Sequence, residues 1–277
     1  MARPVRIEYP GAYYYISSKA VEGESVFNDV KDRQEFLQIL QEVIGRMQWE
    51  VFAYNLLPGS FQLFIKTPKP NLSKGMRQLN GIYTQRYNVK YEKQGNIFHG
   101  RFKAVLVEEQ SFIDVAQHVL HMAVLRRKAR KLDKWKWSSY QATAGLAEGP
   151  EWLKSDVLLN HYGKQKKCAQ TAFTKAIAAM DKDFDISSSV QGQILLGSDA
   201  FVAKWKKQLA SGKVMEKARQ RKAKKVKPLS DFGKRFKNIK TAMVKAYETG
   251  NYTLDQIATH FGVHYSMVSR TVKKSGF

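Results

Sequence analysis

The residues best suited to chemistry lie near the C-terminus. Tyr265, Ser266, Ser269, Arg270 and Lys273 recur at intervals that place them on or near the outer face of one short helix. Hydroxyl, guanidinium and ammonium groups on a single helical face can hydrogen-bond base edges in a major groove and neutralise phosphates. The preceding residues supply a way to hold that helix. Ile239 to Glu248 is helical in pattern and Gly250 ends it; Thr253 is a suitable N-cap for the run Leu254 to Phe261, with Gly262 at its end. His264 or Ser266 then opens a last helix through Met267, Val268, Thr271 and Val272. Ile257, Ala258, Val263 and Val268 have the spacing of a helix-turn-helix core, in which a small alanine lets two helices cross closely and the turn glycine takes φ > 0. The same pattern also suits a small three-helix bundle that docks on protein.

Charge favours the nucleic-acid reading. The 277 residues hold 47 Lys and Arg against 24 Asp and Glu, a formal net charge of +23. Such a balance repels itself in a compact fold and calls for an anionic partner. The most polar stretch runs from Lys213 to Lys227, with Glu216 its single acid, and reads as a basic linker or an exposed helix ended by Pro228. A linker of this kind adds phosphate contacts without sequence preference, and a steep salt dependence with them. Cys168 is the only cysteine, so an intrachain disulfide and a thiolate zinc cluster are both excluded. No apolar run approaches the ~18 residues of a membrane span. Met1 to Arg6 lacks the apolar core of a signal peptide. The expectation is a cytoplasmic, nucleoid-associated protein with no membrane partner.

The elements that would position these groups read as α+β for the first half. Ala12 to Ser18 is a strand; Asp29 to Met47 has helical spacing at Phe36, Leu37, Leu40, Val43, Ile44 and Met47, with Asp29 or Asp32 as cap. Trp49 to Leu57 and Phe61 to Thr67 alternate as two strands split by the Pro58-Gly59 turn. A second helix opens at Asn71 or Ser73 and runs toward Tyr91; Ile97 to Val107 is a further strand, and Ser111 to about Arg127 a third helix. The order β-α-β-β-α-β with a trailing helix predicts a ferredoxin-like antiparallel sheet with helices on one face. The expected divisions are residues 1–145 for this domain, 146–212 for a helical region, 213–235 for a basic linker and 236–277 for the helix-turn-helix.

Several blocks in this order resemble the REP-associated, IS200-type tyrosine transposases of the HUH nuclease superfamily. They are Ala2 to Ala12, Asn71 to Gly81 followed by Tyr83-Thr84-Gln85, Gly100 to Glu108 around Gly-Arg-Phe-Lys, and Trp137-Ser138-Ser139-Tyr140. The match extends to about Gly145, and Gln193 to Ser198 with Phe201-Val202 resembles a segment of longer members. The resemblance implies a metal-dependent attack on single-stranded DNA. Two His at i and i+2 on a strand hold a divalent cation, and a Tyr on a later helix attacks phosphorus to form a 5′-phosphotyrosine link. A polar residue one helical turn on completes the metal site. This chain departs at every part. Ser60 and Gln62 stand where the two His would be, His118 where the Tyr would be, and Met122 at the polar position.

Neutral Ser and Gln oxygens without imidazole or carboxylate make a poor divalent site, and a thioether suits neither Mg²⁺ nor Mn²⁺. The reading is therefore a catalytically inactive, transposase-derived, sequence-specific DNA-binding regulator that needs no cofactor. The alternatives are an active single-strand endonuclease with Mg²⁺ or Mn²⁺, in which His118 attacks with His121 near it, and an RNA-binding or assembly module. For DNA contact in the first domain the expected residues are Arg3, Arg6, Lys74, Arg77, Arg86, Arg101 and Lys103, serving hairpin or single-stranded DNA. Tyr83 and Tyr87, one turn apart, are placed either to stack on bases or to pack on the sheet. A palindromic duplex site would need a dimer, for which the sequence shows no seam.

Overall fold

The computed structural model describes residues 6–125, 131–181, 183–211, 228–236 and 238–275. Strand β1 (Ala12–Lys19) is followed by helix α1 (Val30–Met47), strands β2 (Glu50–Leu57) and β3 (Ser60–Thr67), helix α2 (Leu72–Lys90) and strand β4 (Lys103–Val107). Asp29 caps α1: its side chain accepts from the Asp32 amide, and Asp32 reciprocates by accepting from the Asp29 amide. Helix α2 is capped from a distance, since Glu8 accepts from both the amide and the hydroxyl of Ser73.

The strands form the order β2-β3-β1-β4 with antiparallel pairing throughout, the ferredoxin-like topology expected from the sequence. A two-residue strand β5 (Leu195–Leu196) joins β4 in parallel and makes the sheet five-stranded. The predicted strand from Ile97 is shorter than expected and begins only at Lys103. Gly95 and Gly100 both take positive φ and turn the chain there. Phe98 is apolar for another reason: its ring packs edge-on against Phe61, 5.7 Å away.

Helices cover both faces of the sheet, not one. Phe36 of α1 and Tyr83 of α2 stack toward Phe61 and Phe98, so these helices take the face of Phe61, Leu63 and Ile65. Side chains alternate along a strand, so Phe64 points the other way, and there its ring lies 4.9 Å from Phe112 of α3 (Phe112–Leu125). The sequence reading missed this because α3 is apolar around most of its circumference, with residues from Phe112 to Ala123 buried on several sides. Beyond α3 come α4 (Tyr140–Thr143), α5 (Ser155–Leu159), α6 (Lys166–Ala178) and, after β5, α7 (Asp199–Ala210). Leu158, Phe173, Ile177 and Leu196 share one buried cluster with Val115 and Val119 of α3. Residues 146–211 therefore complete the first domain and do not form a separate helical region.

The C-terminal unit comprises α8 (Leu229–Arg235), α9 (Ile239–Glu248), α10 (Leu254–Phe261) and α11 (Tyr265–Lys274). Helix α8 falls within the span assigned to the basic linker. Its Leu229 and Phe232 pack on the cluster of Met243, Ile257 and Val268, so among the described residues the folded unit includes Leu229, seven residues before 236. The expected basic run at 213–227 lies outside the described residues.

Candidate nucleic-acid interface

The α3 side of the sheet holds the residues at the positions where the resemblance puts chemistry. Ser60 and Gln62 sit on β3, and Gln62 Nε2 donates to Ser60 Oγ at 3.1 Å. Gln62 is 2% exposed, and its Oε1 is buried without a hydrogen-bond partner. His118 is 1% exposed on α3. Its Nε2 lies 3.3 Å from the Tyr15 hydroxyl of β1, the rings meet edge to face, and Nδ1 is 3.8 Å from Asp185 Oδ1. Met122 lies a turn later in the buried cluster with Leu57, and His121 is buried with both ring nitrogens lacking a partner.

This donor set does not fit a divalent cation. At the four positions the oxygens are the neutral Ser60 Oγ, already accepting from Gln62, and the single amide Oε1, His118 brings one imidazole, and Met122 offers only soft sulfur. Among the described residues, no three His, Cys, Asp or Glu side chains gather as a metal group.

Asn55 of β2 anchors α3 over this face, a role the sequence reading did not assign. The fully buried side chain donates to the Val119 and Leu120 carbonyls at 3.0 and 3.3 Å and accepts from Trp135 Nε1 at 3.0 Å. A lone amide within the apolar run Val51 to Leu57 was the available signal. Asn55→Ala removes these bonds and leaves buried polar groups unpaired. The expected loss is about 3 kcal/mol in urea unfolding, and an unchanged unfolding midpoint would show that α3 is held otherwise.

The expected DNA contacts of the first domain differ in their exposure. Arg3 lies outside the described residues. Arg6 is tied down: its guanidinium stacks 3.6 Å over the Phe102 ring and donates to the Phe102 carbonyl at 3.1 Å. Burial, followed by the like charge of Arg101, lowers its pKa against the opposing pull of Glu8. It braces the Gly-Arg-Phe-Lys block and does not project from it. Arg86 is exposed but paired with Glu35 at 3.3 Å. Lys74, Arg77, Arg101 and Lys103 are exposed. Of the two alternatives for Tyr83 and Tyr87, the structure has both rings packed in the fold. Both are buried; the Tyr83 hydroxyl donates to the Val26 carbonyl and Tyr87 to the Ser25 carbonyl at 2.8 Å.

In the C-terminal unit, Thr253 and Gln256 form a reciprocal capping box on α10, and Gly262 closes that helix at φ 65°. Ala258 is buried between the crossing helices beside Ile257 and Val268. His264 is the N-cap of α11, its Nδ1 accepting from the Ser266 amide at 3.3 Å and lying 2.9 Å from the Ser266 hydroxyl. Tyr265 is 49% exposed. Arg270 and Lys273 are also exposed, whereas Ser266 and Ser269 are half-buried. Arg270 folds back along α11, donating from Nε to the Ser266 carbonyl at 3.2 Å and from Nη2 to the Ser266 hydroxyl at 3.4 Å. The outer face of α11 thus gathers a phenol, a guanidinium and an ammonium.

The family of IS200-like transposases matches this chain over residues 15–121. Among solved structures, a REP-associated tyrosine transposase bound to a REP hairpin is similar at 14% identity and a TM-score of 0.46, covering 54% of this chain and 89% of the other. No curated protein gives a significant match.

Proposed function

We propose that this chain, which the family of IS200-like transposases matches over residues 15–121, is a DNA-binding regulator that grips DNA without cutting it. The observation that carries the reading is the state of His118. At the position of the family's nucleophile stands an imidazole that is 1% exposed and set against the Tyr15 hydroxyl. A nucleophile must reach phosphorus, and this side chain is packed away from it. The neutral oxygens of Ser60 and Gln62 give a scissile phosphate no strong electrophilic help. Tyr265, Arg270 and Lys273 on α11 serve the second half of the proposal, reading a duplex through the major groove with Ser266 and Ser269. The first domain then holds hairpin or single-stranded DNA through Lys74, Arg77, Arg101 and Lys103.

The test uses the full chain. A preferred duplex selected from a random pool is expected to bind equally well with EDTA and with Mg²⁺. A panel of end-labelled hairpins incubated with Mg²⁺ or Mn²⁺ is expected to yield neither nicks nor a covalent adduct. An adduct that disappears in His118→Ala would overturn the non-cutting reading. RNA competing as well as the best duplex at physiological salt would overturn the duplex reading.

A further inference from the structure

The strand registers place an unbroken polar row across the α3 side of the sheet. Asn55 of β2 faces Gln62 of β3, Gln62 faces Ser17 of β1, and Ser17 faces Lys103 of β4. In the next row Ser60 faces Lys19. Directly opposed residues share a face, and with strands about 4.8 Å apart the first row spans roughly 14 Å. Burial falls along it: Asn55 and Gln62 are buried, Ser17 is half-buried and Lys103 is exposed, as is Lys19. The result is a polar floor that opens toward two ammonium groups. Among the described residues neither lysine is in an ion pair.

We infer that this row binds a phosphodiester of single-stranded DNA, with Lys19 and Lys103 supplying by fixed charge the neutralisation that a cation would otherwise supply. The inference deepens the reading above and rests on it, since it assumes that the first domain holds an unpaired strand. Lys19 and Lys103 lie diagonally across the β1–β4 pair, about 7–8 Å apart at the backbone. Their long, flexible stems can therefore converge on one phosphate as point charges. The Ser17 hydroxyl on the same row can donate to its oxygens.

Gln62 gives the second, independent observation. Its buried Oε1 has no partner, which is costly for an amide at 2% exposure. Turned over, the same amide accepts the Ser60 proton on Oε1 and directs an N–H donor outward. An anion at the row is what makes that orientation favourable. Fixed ammonium charge binds a phosphate but generates no activated nucleophile, so the strand is held whole.

The experiment measures binding of a fluorescein-labelled oligothymidylate of about 15 nucleotides to the full chain in EDTA over a series of salt concentrations. Lys19→Ala/Lys103→Ala is expected to raise Kd about tenfold at moderate salt and to lower the log–log salt slope by about 1.4, two phosphate contacts at ~0.7 each. Its affinity for the preferred duplex and its melting temperature are expected to match wild type. Lys19→Arg/Lys103→Arg is expected to keep the wild-type slope. A double alanine variant with wild-type Kd and slope would overturn the inference while leaving the DNA-binding reading in place. Failure of the wild-type chain to bind the oligonucleotide would sink the inference and, with it, the reading that the first domain holds an unpaired strand.

Discussion

Arg270→Ala is expected to lower affinity for the preferred duplex ten- to a hundredfold, the ~1–3 kcal/mol of one good base-edge contact. Unrelated duplexes lose only the small share due to one positive charge, so the ratio of specific to non-specific binding collapses. The size of the effect follows from how the side chain is held. Both of its hydrogen bonds run back to Ser266, which sets the guanidinium toward the first turn of α11. That turn is the part of a recognition helix that meets base edges. Arg270 is exposed and takes no part in the buried cluster, so the variant should melt like wild type. Lys273→Ala provides the contrast: a phosphate contact weakens all duplexes alike and reduces the salt slope by about 0.9. Fluorescence anisotropy with the selected duplex and a scrambled one separates the two. An Arg270→Ala protein that discriminated as sharply as wild type would move the reading surface away from α11.

Gly75→Ala is expected to destabilise the first domain by about 2–3 kcal/mol, although alanine is the better helix former by about 1 kcal/mol. A Cβ at this position of α2 would stand 2.2 Å from Trp49 Cζ2 and 2.6 Å from Cη2. The indole cannot step aside without loss, because it is buried and donates from Nε1 to Asn71 Oδ1 at 2.9 Å. Either that bond breaks or α2 lifts off the sheet. In a scan the transition should fall by several degrees, at roughly 2–4 °C per kcal/mol for a domain of this size. Trp49→Phe removes the crowding benzo carbons, so the double variant should lose less than the sum of the singles. Strict additivity would mean that the close approach is not the cause.

Much of the scaffold could be read from local pattern. The 3.6-residue spacing of Phe36, Leu40, Val43 and Met47 and the acids at 29 and 32 placed α1 and its cap, because both depend on neighbours along the chain. The core of the C-terminal helices was legible for the same reason: Ala258, Gly262 and Val268 act within a few residues of one another. What escaped depends on partners far away in sequence. Asn55 was invisible as an anchor because its partners are Val119, Leu120 and Trp135. For Tyr83 and Tyr87 stacking and packing both stayed open, because nothing local announces that their hydroxyls are taken up near residues 25 and 26. The neighbours of His118, Tyr15 and Asp185, come from opposite ends of the domain and meet only once α3 has settled on the sheet.

The margins of the sheet carry one more consequence. Along β4, the Leu106 and Glu108 amides donate to the Ile194 and Leu196 carbonyls at 2.8 and 2.9 Å, so the brief β5 segment occupies that flank. Along β2, the Leu56 amide reaches the Trp137 carbonyl at 2.8 Å, and the Tyr54 and Val51 carbonyls receive Ser139 and Lys154. A bare strand flank is a template on which a second copy can lay its own strand, the usual start of runaway self-association. With both flanks already bonded by the chain's own later segments, that route is blocked along much of their length. Whatever brings two copies together on a symmetric site must then work through side chains, leaving the ladder of the sheet to serve one molecule.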